Sequence, residues 1–106
     1  GLDREHFWRL DLDSRNGFLG YELVSIGSLD ASIVAMREVF KGALLNNAAR
    51  IMVGHNHPSY DLRPSGADRQ ITKQLLLAGF LLGVELEDHL IVAEDRYFSF
   101  KKAGLL

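Results

Sequence analysis

The chain has 106 residues, 47% hydrophobic and 25% charged, with a formal net charge of -2 and a pI of about 6.1. This is the composition of an ordinary globular domain, and the length leaves room for one hydrophobic core. The absence of cysteine excludes disulfides and thiolate metal ligands, the charge lacks the basic excess of a nucleic-acid-binding domain, and no apolar stretch is long enough to span a membrane.

The amino-terminal half of the chain predicts a β-hairpin followed by a helix. Residues 5–13 alternate between apolar and polar side chains, as a strand does, with His6, Trp8, Leu10 and Leu12 on one face. The Asn-Gly turn in residues 14–17 then leads into a second strand over residues 18–26. Apolar residues recur at helical spacing in residues 30–47, which predicts a helix over at least the second half of that segment.

The carboxy-terminal half predicts a central strand, a loop, a helix and two further strands, in that order. Residues 50–54 form a short apolar run, as expected of a strand buried on both faces, and residues 55–64 hold both prolines and predict a loop. The remaining elements are a helix over residues 65–82, which Gly83 ends, and strands over residues 84–93 and 97–100. This order predicts an α/β (α+β) domain, with a mixed, mostly antiparallel sheet flanked by helices.

The segment His55-Asn56-His57 is the most informative part of the sequence for function. In an extended chain, side chains two residues apart point the same way, so two imidazoles can converge on one ion. Asp68 arrives in the first turn of the following helix. Two histidines and a carboxylate fill three tetrahedral positions and leave the fourth for water, which is typical of a catalytic zinc site.

Each of these pieces also has an ordinary structural interpretation. A His-x-His sequence alone is a weak signal for a metal. Ser65 and Asp68 have the spacing of a helix capping box, with Asp in place of the usual Glu, and an acidic residue in a first turn is favoured by the helix dipole. Neither of these structural roles needs a metal, and neither excludes one.

Taken together, His-x-His, seven residues, Ser, two residues and Asp form the JAMM signature, and the chain resembles the RadC family of bacterial JAMM-like proteins. Further matching segments are residues 5–8, 37–40, 47–49, 55–59, 64–65, 88–89 and 104–106. The resemblance implies that residues 1–106 are a single domain of JAMM/MPN (cytidine deaminase-like) architecture. It also implies that this domain is the C-terminal part of a longer protein, because the family commonly carries a helix-hairpin-helix segment upstream.

The resemblance also implies a role for each residue of the signature. Proteins with the intact signature bind one zinc ion per chain, and the positions that match the ligands are His55, His57 and Asp68. Ser65 matches the serine that donates a hydrogen bond to the developing oxyanion. Glu5 matches the glutamate that acts as general base, and Glu22 and Glu38 remain alternatives for that role.

The function implied is that of a cytoplasmic zinc-dependent hydrolase of metallopeptidase, isopeptidase-like type, acting on an unknown peptide or protein. Two alternatives stay open: a DNA-repair-associated module, as the RadC name suggests, and a protein-binding domain whose zinc is not catalytic. With a net charge of -2, this domain alone gives little reason to expect nucleic-acid binding, and we expect no membrane partner.

The chain departs from the family pattern at three positions, none of them a ligand. Tyr60 stands where glycine is usual, Leu62 where proline is common, and Met36 where proline often occurs. If the loop needs a positive φ at Tyr60, that residue costs about 1 kcal/mol or more. His89 lies either beside the metal ligands or near a turn, bonded to backbone, whereas His6 is interpreted as structural.

Overall fold

The computed structural model describes residues 5–24 and 32–106, except for the side chains of Ile33 and Val34. The elements are β1 (Phe7–Leu12), β2 (Phe18–Val24), α1 (Ile33–Leu45), β3 (Arg50–Asn56), α2 (Gly66–Leu82), β4 (Glu85–Ala93) and β5 (Arg96–Ser99). They follow the predicted order. The predicted end of the second strand (residues 25–26) and start of the first helix (residues 30–31) lie outside the described residues. No helix within the described residues is long and apolar enough to cross a membrane.

The strands form one five-stranded sheet in the order β2-β1-β3-β4-β5. The pair β3–β4 is parallel, and the other three pairs are antiparallel. The parallel pair is joined by α2, as a parallel pair requires a crossover connection. The core contains buried side chains from both helices and from β1, β3 and β4. The predicted fold class, a mixed and mostly antiparallel sheet with helices, is therefore confirmed.

The more deeply buried face of β1 is not the face on which the apolar residues of the alternating pattern lie. Phe7, Arg9 and Asp11 are buried, whereas Trp8 and Leu10, on the apolar face, are only half-buried. Arg9 and Asp11 are tolerated inside because the two side chains pair with each other and with groups from other elements. The alternation predicted the strand correctly but did not identify its core face.

The strand β3 is longer than predicted and carries the first metal-ligand candidate. It continues through Asn56, so His55 belongs to the strand and not to the loop predicted for residues 55–64. The strand continues because its pairing with β1 and β4 runs to its end, where His55 pairs with Phe7 and with Ile91. The prediction that this strand is buried on both faces is also only partly correct, since Met52 is half-buried.

The helix α2 begins and ends as its sequence predicts. The hydroxyl of Ser65 accepts a hydrogen bond from the amide of Asp68 at 3.0 Å, and the Asp68 carboxylate accepts one from the Ser65 amide at 2.8 Å, which completes a capping box. At the other end, Gly83 adopts a left-handed conformation with φ of 73°, which favours glycine. The capping box fixes the Asp68 carboxylate at the helix terminus, where it faces β3.

Candidate metal centre

The register of β1 against β3 places Glu5 beside the two histidines. Phe7 pairs with His55 in this antiparallel ladder, so extending the register by two residues sets Glu5 opposite His57. Side chains directly opposite each other lie on the same face of a sheet. One oxygen of Glu5 and one ring nitrogen from each of His55 and His57 accordingly lie within 4.8 Å of one another.

The carboxylate of Asp68 closes the cluster from α2. Its Oδ1 lies 3.0 Å from His55 Nε2, and its Oδ2 lies 3.0 Å from His57 Nε2. The two Nε2 atoms are 3.2 Å apart. Ligand atoms at about 2.0–2.1 Å from a tetrahedral zinc ion stand about 3.3 Å from one another. The spacing of the two nitrogens and the carboxylate is therefore close to that of a zinc ligand set.

His57 is oriented so that its Nε2 carries a lone pair. Its Nδ1 lies 2.6 Å from the carbonyl oxygen of Asp61, and a carbonyl can only accept, so Nδ1 holds the proton that is donated. In the neutral ring, Nε2 then faces Asp68 without a proton. Nitrogen and carboxylate lone pairs facing each other at this distance require a cation, a proton or a metal ion, between them. The residues present thus fit a metal ion.

The loop that supplies this carbonyl is held at several points. The Asp61 carboxylate pairs with Arg63 Nη2 at 2.8 Å, and hydrogen bonds from Arg63 lower the pKa of Asp61 to about 2. The carbonyl of Tyr60 accepts a hydrogen bond from Arg96 at 2.7 Å, and the Tyr60 amide donates to the carbonyl of His57. Tyr60 has a φ of 65°, so the positive φ considered from the sequence occurs at this position.

Asp68 is ionised although it is buried. Burial by itself would raise the pKa of this carboxyl, but its interaction with His55 and the hydrogen bond from the Ser65 amide outweigh burial and lower the pKa below its ordinary value. The side chains of Asp68 and His55 are 3% and 1% exposed, and that of His57 is 13% exposed. The cluster therefore has a closed side in the core and an open side at His57 and the exposed Glu5.

The other candidates of the sequence analysis lie in distinct environments. Ser65 is exposed at the first turn of α2, next to Asp68 in the capping box. Glu22 pairs with Arg9 at 2.8 Å, and Glu38 lies 3.9 Å from Lys41 on the surface of α1. Of the three glutamates considered for the general base, Glu5 is the one that the structure groups with the histidines. The backbone amide of His6 donates to Asn56 Oδ1, and the sequence predicted no more than a structural role for His6.

His89 and Thr72 contact the buried side of the cluster. His89 Nε2 lies 2.9 Å from His55 Nδ1, and His89 Nδ1 lies 2.7 Å from Thr72 Oγ1. Burial lowers the pKa of His89 to about 3, and the electrostatic interaction with His55 acts in the same direction. Of the two positions left open for His89, the one beside a metal-ligand candidate is therefore observed. Thr72 was missed, although its position four residues after Asp68 places both on one face of α2.

These observations define the class of the protein and then its family. A mixed α+β fold with a His-x-His sequence ending a central strand and a carboxylate opening the next helix is that of a JAB/MPN-type domain. The chain matches the RadC-like JAB domain over residues 1–105, and it belongs to that family. The resemblance to RadC proteins is thus confirmed.

The chain is also similar to individual curated proteins. The chain is 46% identical over 105 residues to a UPF0758 protein of Moorella thermoacetica, covering 99% of this chain and 46% of the relative. It is 48% identical over 103 residues to a UPF0758 protein of Methanosarcina acetivorans, covering 97% of this chain and 45% of the relative. The chain spans about half the length of the curated relatives it matches.

Proposed function

We propose that this domain is a zinc-dependent hydrolase of the metallopeptidase type that cleaves a peptide or isopeptide amide. The observation that carries the proposal is the convergence of His55 Nε2, His57 Nε2 and the Asp68 carboxylate within 3.0–3.2 Å of one another, with Glu5 beside them. Two imidazoles and one carboxylate would hold zinc in a site with an open fourth position. A zinc ion bound there would supply Lewis acidity, which would make a proton of water easier to remove at neutral pH.

Glu5 is suited to moving a proton at this site. Its carboxylate lies on the open side of the cluster, where the substrate and water arrive, and it is not part of the capping box that holds Asp68. In the proposed reaction, a Glu5 oxygen takes the proton of the attacking water and later gives it to the leaving amine nitrogen. Such general acid-base catalysis contributes about 10²–10⁴-fold to a rate.

Ser65 is suited to stabilising the oxyanion that develops on the substrate carbonyl. Its hydroxyl oxygen accepts the hydrogen bond from the Asp68 amide, so the hydroxyl proton remains to be donated. The side chain is exposed and lies next to a metal-ligand candidate, at the start of α2. There the helix dipole also favours negative charge.

The first test is metal content. Elemental analysis of the purified protein after incubation with zinc is expected to give about one zinc per chain, and the same preparation of His57→Ala is expected to contain little. Zinc content at background in both proteins, with the wild type folded by circular dichroism, would contradict the proposed ligand set.

The second test is hydrolysis by the zinc-loaded protein. A mixture of peptides from a casein digest and a synthetic lysine-isopeptide substrate are incubated with enzyme, and cleavage is followed by mass spectrometry. We expect Glu5→Gln to keep its zinc and to lose about 10²–10⁴-fold in rate. Glu22→Gln is the matched control, since that residue pairs with Arg9, and it should cleave like the wild type. Equal cleavage by Glu5→Gln would exclude Glu5 as the base, whereas stoichiometric zinc without cleavage of any probe would favour a non-catalytic zinc domain.

A further inference from the structure

A short chain of side chains runs behind His55, on the side of the cluster away from solvent. It leads from His55 Nδ1 to His89 Nε2 at 2.9 Å, from His89 Nδ1 to Thr72 Oγ1 at 2.7 Å, and from Thr72 Oγ1 to the carbonyl oxygen of Asp68 at 2.8 Å. Its three side chains are each 1% exposed or less. The chain starts at one metal-ligand candidate and ends on the backbone of another, and it joins β3, β4 and α2.

The direction of every hydrogen bond in this chain follows from its last acceptor. A backbone carbonyl can only accept, so the hydroxyl proton of Thr72 is donated to Asp68. A threonine hydroxyl has a single proton, and Oγ1 is therefore left with lone pairs toward His89. It follows that His89 Nδ1 carries a proton and donates it to Thr72.

The same reasoning determines the proton on His55. The ring of His89 is fully buried, and it stacks on Phe100 with ring centroids 4.6 Å apart. A neutral imidazole has one ring proton, so with that proton on Nδ1 the Nε2 of His89 is an acceptor. His55 Nδ1 must then donate, and the neutral ring of His55 presents an unprotonated Nε2 to Asp68, which lies 3.0 Å away.

We propose that Thr72 and His89 are positioning residues that hold His55 in the one tautomer able to bind the metal. The proposal rests on the proposed function in that it takes His55 as a ligand. A neutral imidazole otherwise exchanges between two tautomers, and the one protonated on Nε2 has no lone pair for the ion. Groups that bond the far nitrogen of a metal-bound histidine fix its orientation in this way.

The Nδ1 atoms of the two histidines donate to different kinds of acceptor. His57 donates to a backbone carbonyl in an exposed loop, whereas His55 donates to a neutral imidazole in the core. Neither acceptor carries a charge, so these hydrogen bonds add no negative charge behind the two imidazoles, and Asp68 is the one anionic group among the three proposed ligands. Less negative charge around a bound ion would leave it a stronger Lewis acid, which suits activation of an amide carbonyl.

Two matched pairs of variants test the proposal by zinc affinity. Thr72→Val keeps the shape of the side chain but removes the acceptor for His89, whereas Thr72→Ser keeps the hydroxyl. His89→Phe fills the space without an acceptor for His55, whereas the amide oxygen of His89→Gln can accept. We expect the zinc dissociation constant, measured by competition with a chelating dye, to rise about 10–100-fold in Thr72→Val and His89→Phe. Thr72→Ser and His89→Gln should stay close to the wild type.

The tautomer itself is read by long-range ¹H–¹⁵N correlation spectra of the chelator-treated protein at mildly alkaline pH. We expect wild-type His55 to carry a proton on Nδ1, the nitrogen that faces His89, and Thr72→Val to have an unprotonated Nδ1 in at least part of the molecules. A wild-type spectrum with an unprotonated His55 Nδ1 would overturn the proposal. So would a Thr72→Val protein whose tautomer and zinc affinity both equal those of the wild type; if this variant does not fold, the His89 pair decides in the same way.

These readouts do not depend on hydrolysis. A protein that binds zinc with His55 in the expected tautomer and cleaves no probe contradicts the hydrolase proposal alone. An active hydrolase in which the tautomer of His55 does not change when Thr72 or His89 is replaced contradicts this inference alone.

Discussion

Arg9 and Asp11 form an ion pair inside the core, with Arg9 Nε 2.5 Å from Asp11 Oδ1 and with side chains 1% and 0% exposed. The remaining groups of the pair are also bonded. Arg9 Nη1 donates to Glu22 and to the carbonyl of Val39, and Asn46 donates to the Asp11 carboxylate. These bonds tie β1 to β2 and to α1. The pair is stable in the core because every buried side-chain nitrogen and oxygen of the described residues has a partner.

Replacing Asp11 with alanine is therefore expected to destabilise the protein strongly. The change leaves the buried Arg9 charge without its nearest partner, which costs about 3–5 kcal/mol. Urea denaturation followed by circular dichroism measures the change. Glu38→Ala is the control, because the Glu38 side chain is 41% exposed and lies 3.9 Å from Lys41, and it should cost less than about 1 kcal/mol. Equal costs for the two variants would contradict a structural role for the buried pair.

Replacement of Gly54 with alanine, which adds one methyl group, is expected to destabilise the protein. A Cβ at this position would overlap the ring of Trp8, which covers the glycine from the neighbouring strand, one residue before His55. We expect Gly54→Ala to cost about 1–3 kcal/mol and to displace the ring. Trp8 is the single tryptophan of the chain, so its fluorescence maximum reports the displacement. Gly66→Ala is the control, since a Cβ there meets nothing within 4 Å, and it should leave the spectrum unchanged.

Removal of zinc is expected to lower the thermal stability of the loaded protein. A ligand present at about 100 times its dissociation constant stabilises the folded state by about 2.7 kcal/mol, which corresponds to on the order of 10–20 °C for a domain of this size. We expect excess chelator to lower the melting temperature of the wild type by such an amount, measured by differential scanning fluorimetry. The melting temperature of His57→Ala should not respond, and an equal response would place the stabilising zinc elsewhere.

Glu87 is expected to contribute to the loss of stability in acid. Hydrogen bonds from Lys101 and Arg50 hold the pKa of Glu87 below its ordinary value of 4.5. The folded protein therefore binds this proton less readily than the unfolded chain, so the contribution is present above the unfolded pKa and is lost as the pH falls through the folded one. Each pair is worth about 0.2–1 kcal/mol at most.

The measurement is the free energy of unfolding of the wild type and Glu87→Gln between neutral pH and pH values below 4.5. The difference between the two proteins should shrink as the pH falls. Glu85→Gln is the control, because Glu85 is 65% exposed and lies 3.8 Å from Arg50, and it should differ little from the wild type at any pH. A constant difference for Glu87→Gln would mean that its effect is not electrostatic.

Tyr60 is expected to store backbone strain in the loop that orients His57. A φ of 65° costs a residue with a side chain about 1–2 kcal/mol relative to glycine. Tyr60→Gly removes that cost but also makes the unfolded chain more flexible. Ser59→Gly, at the neighbouring exposed residue, adds the same flexibility without removing strain and is therefore the reference variant. We expect Tyr60→Gly to be more stable than Ser59→Gly by about 1–2 kcal/mol in urea denaturation. Equal stabilities would show that the loop relieves the strain in another way.

Much of the fold is determined by local sequence signals. The Asn-Gly turn, the capping residue Ser65 and the closing Gly83 mark where elements begin and end, and each acts within a few residues of itself. The spacing of His55 and His57 is also local, because alternate residues of a strand share a face. For this reason, the two histidines and the turn of helix carrying Asp68 could be predicted before any contact was known.

Tertiary structure decided what depends on register and on contacts between distant elements. Glu5, and not Glu22 or Glu38, lies beside the histidines because β1 pairs with β3 in a particular register, which no segment of the sequence specifies alone. The burial of Arg9 depends on partners from β2 and α1, and the contact of His89 with His55 depends on the parallel pairing of β4 with β3. The sequence by itself thus determined the elements and the local histidine spacing, whereas the sheet register, set by packing over the whole core, determined which polar side chains meet.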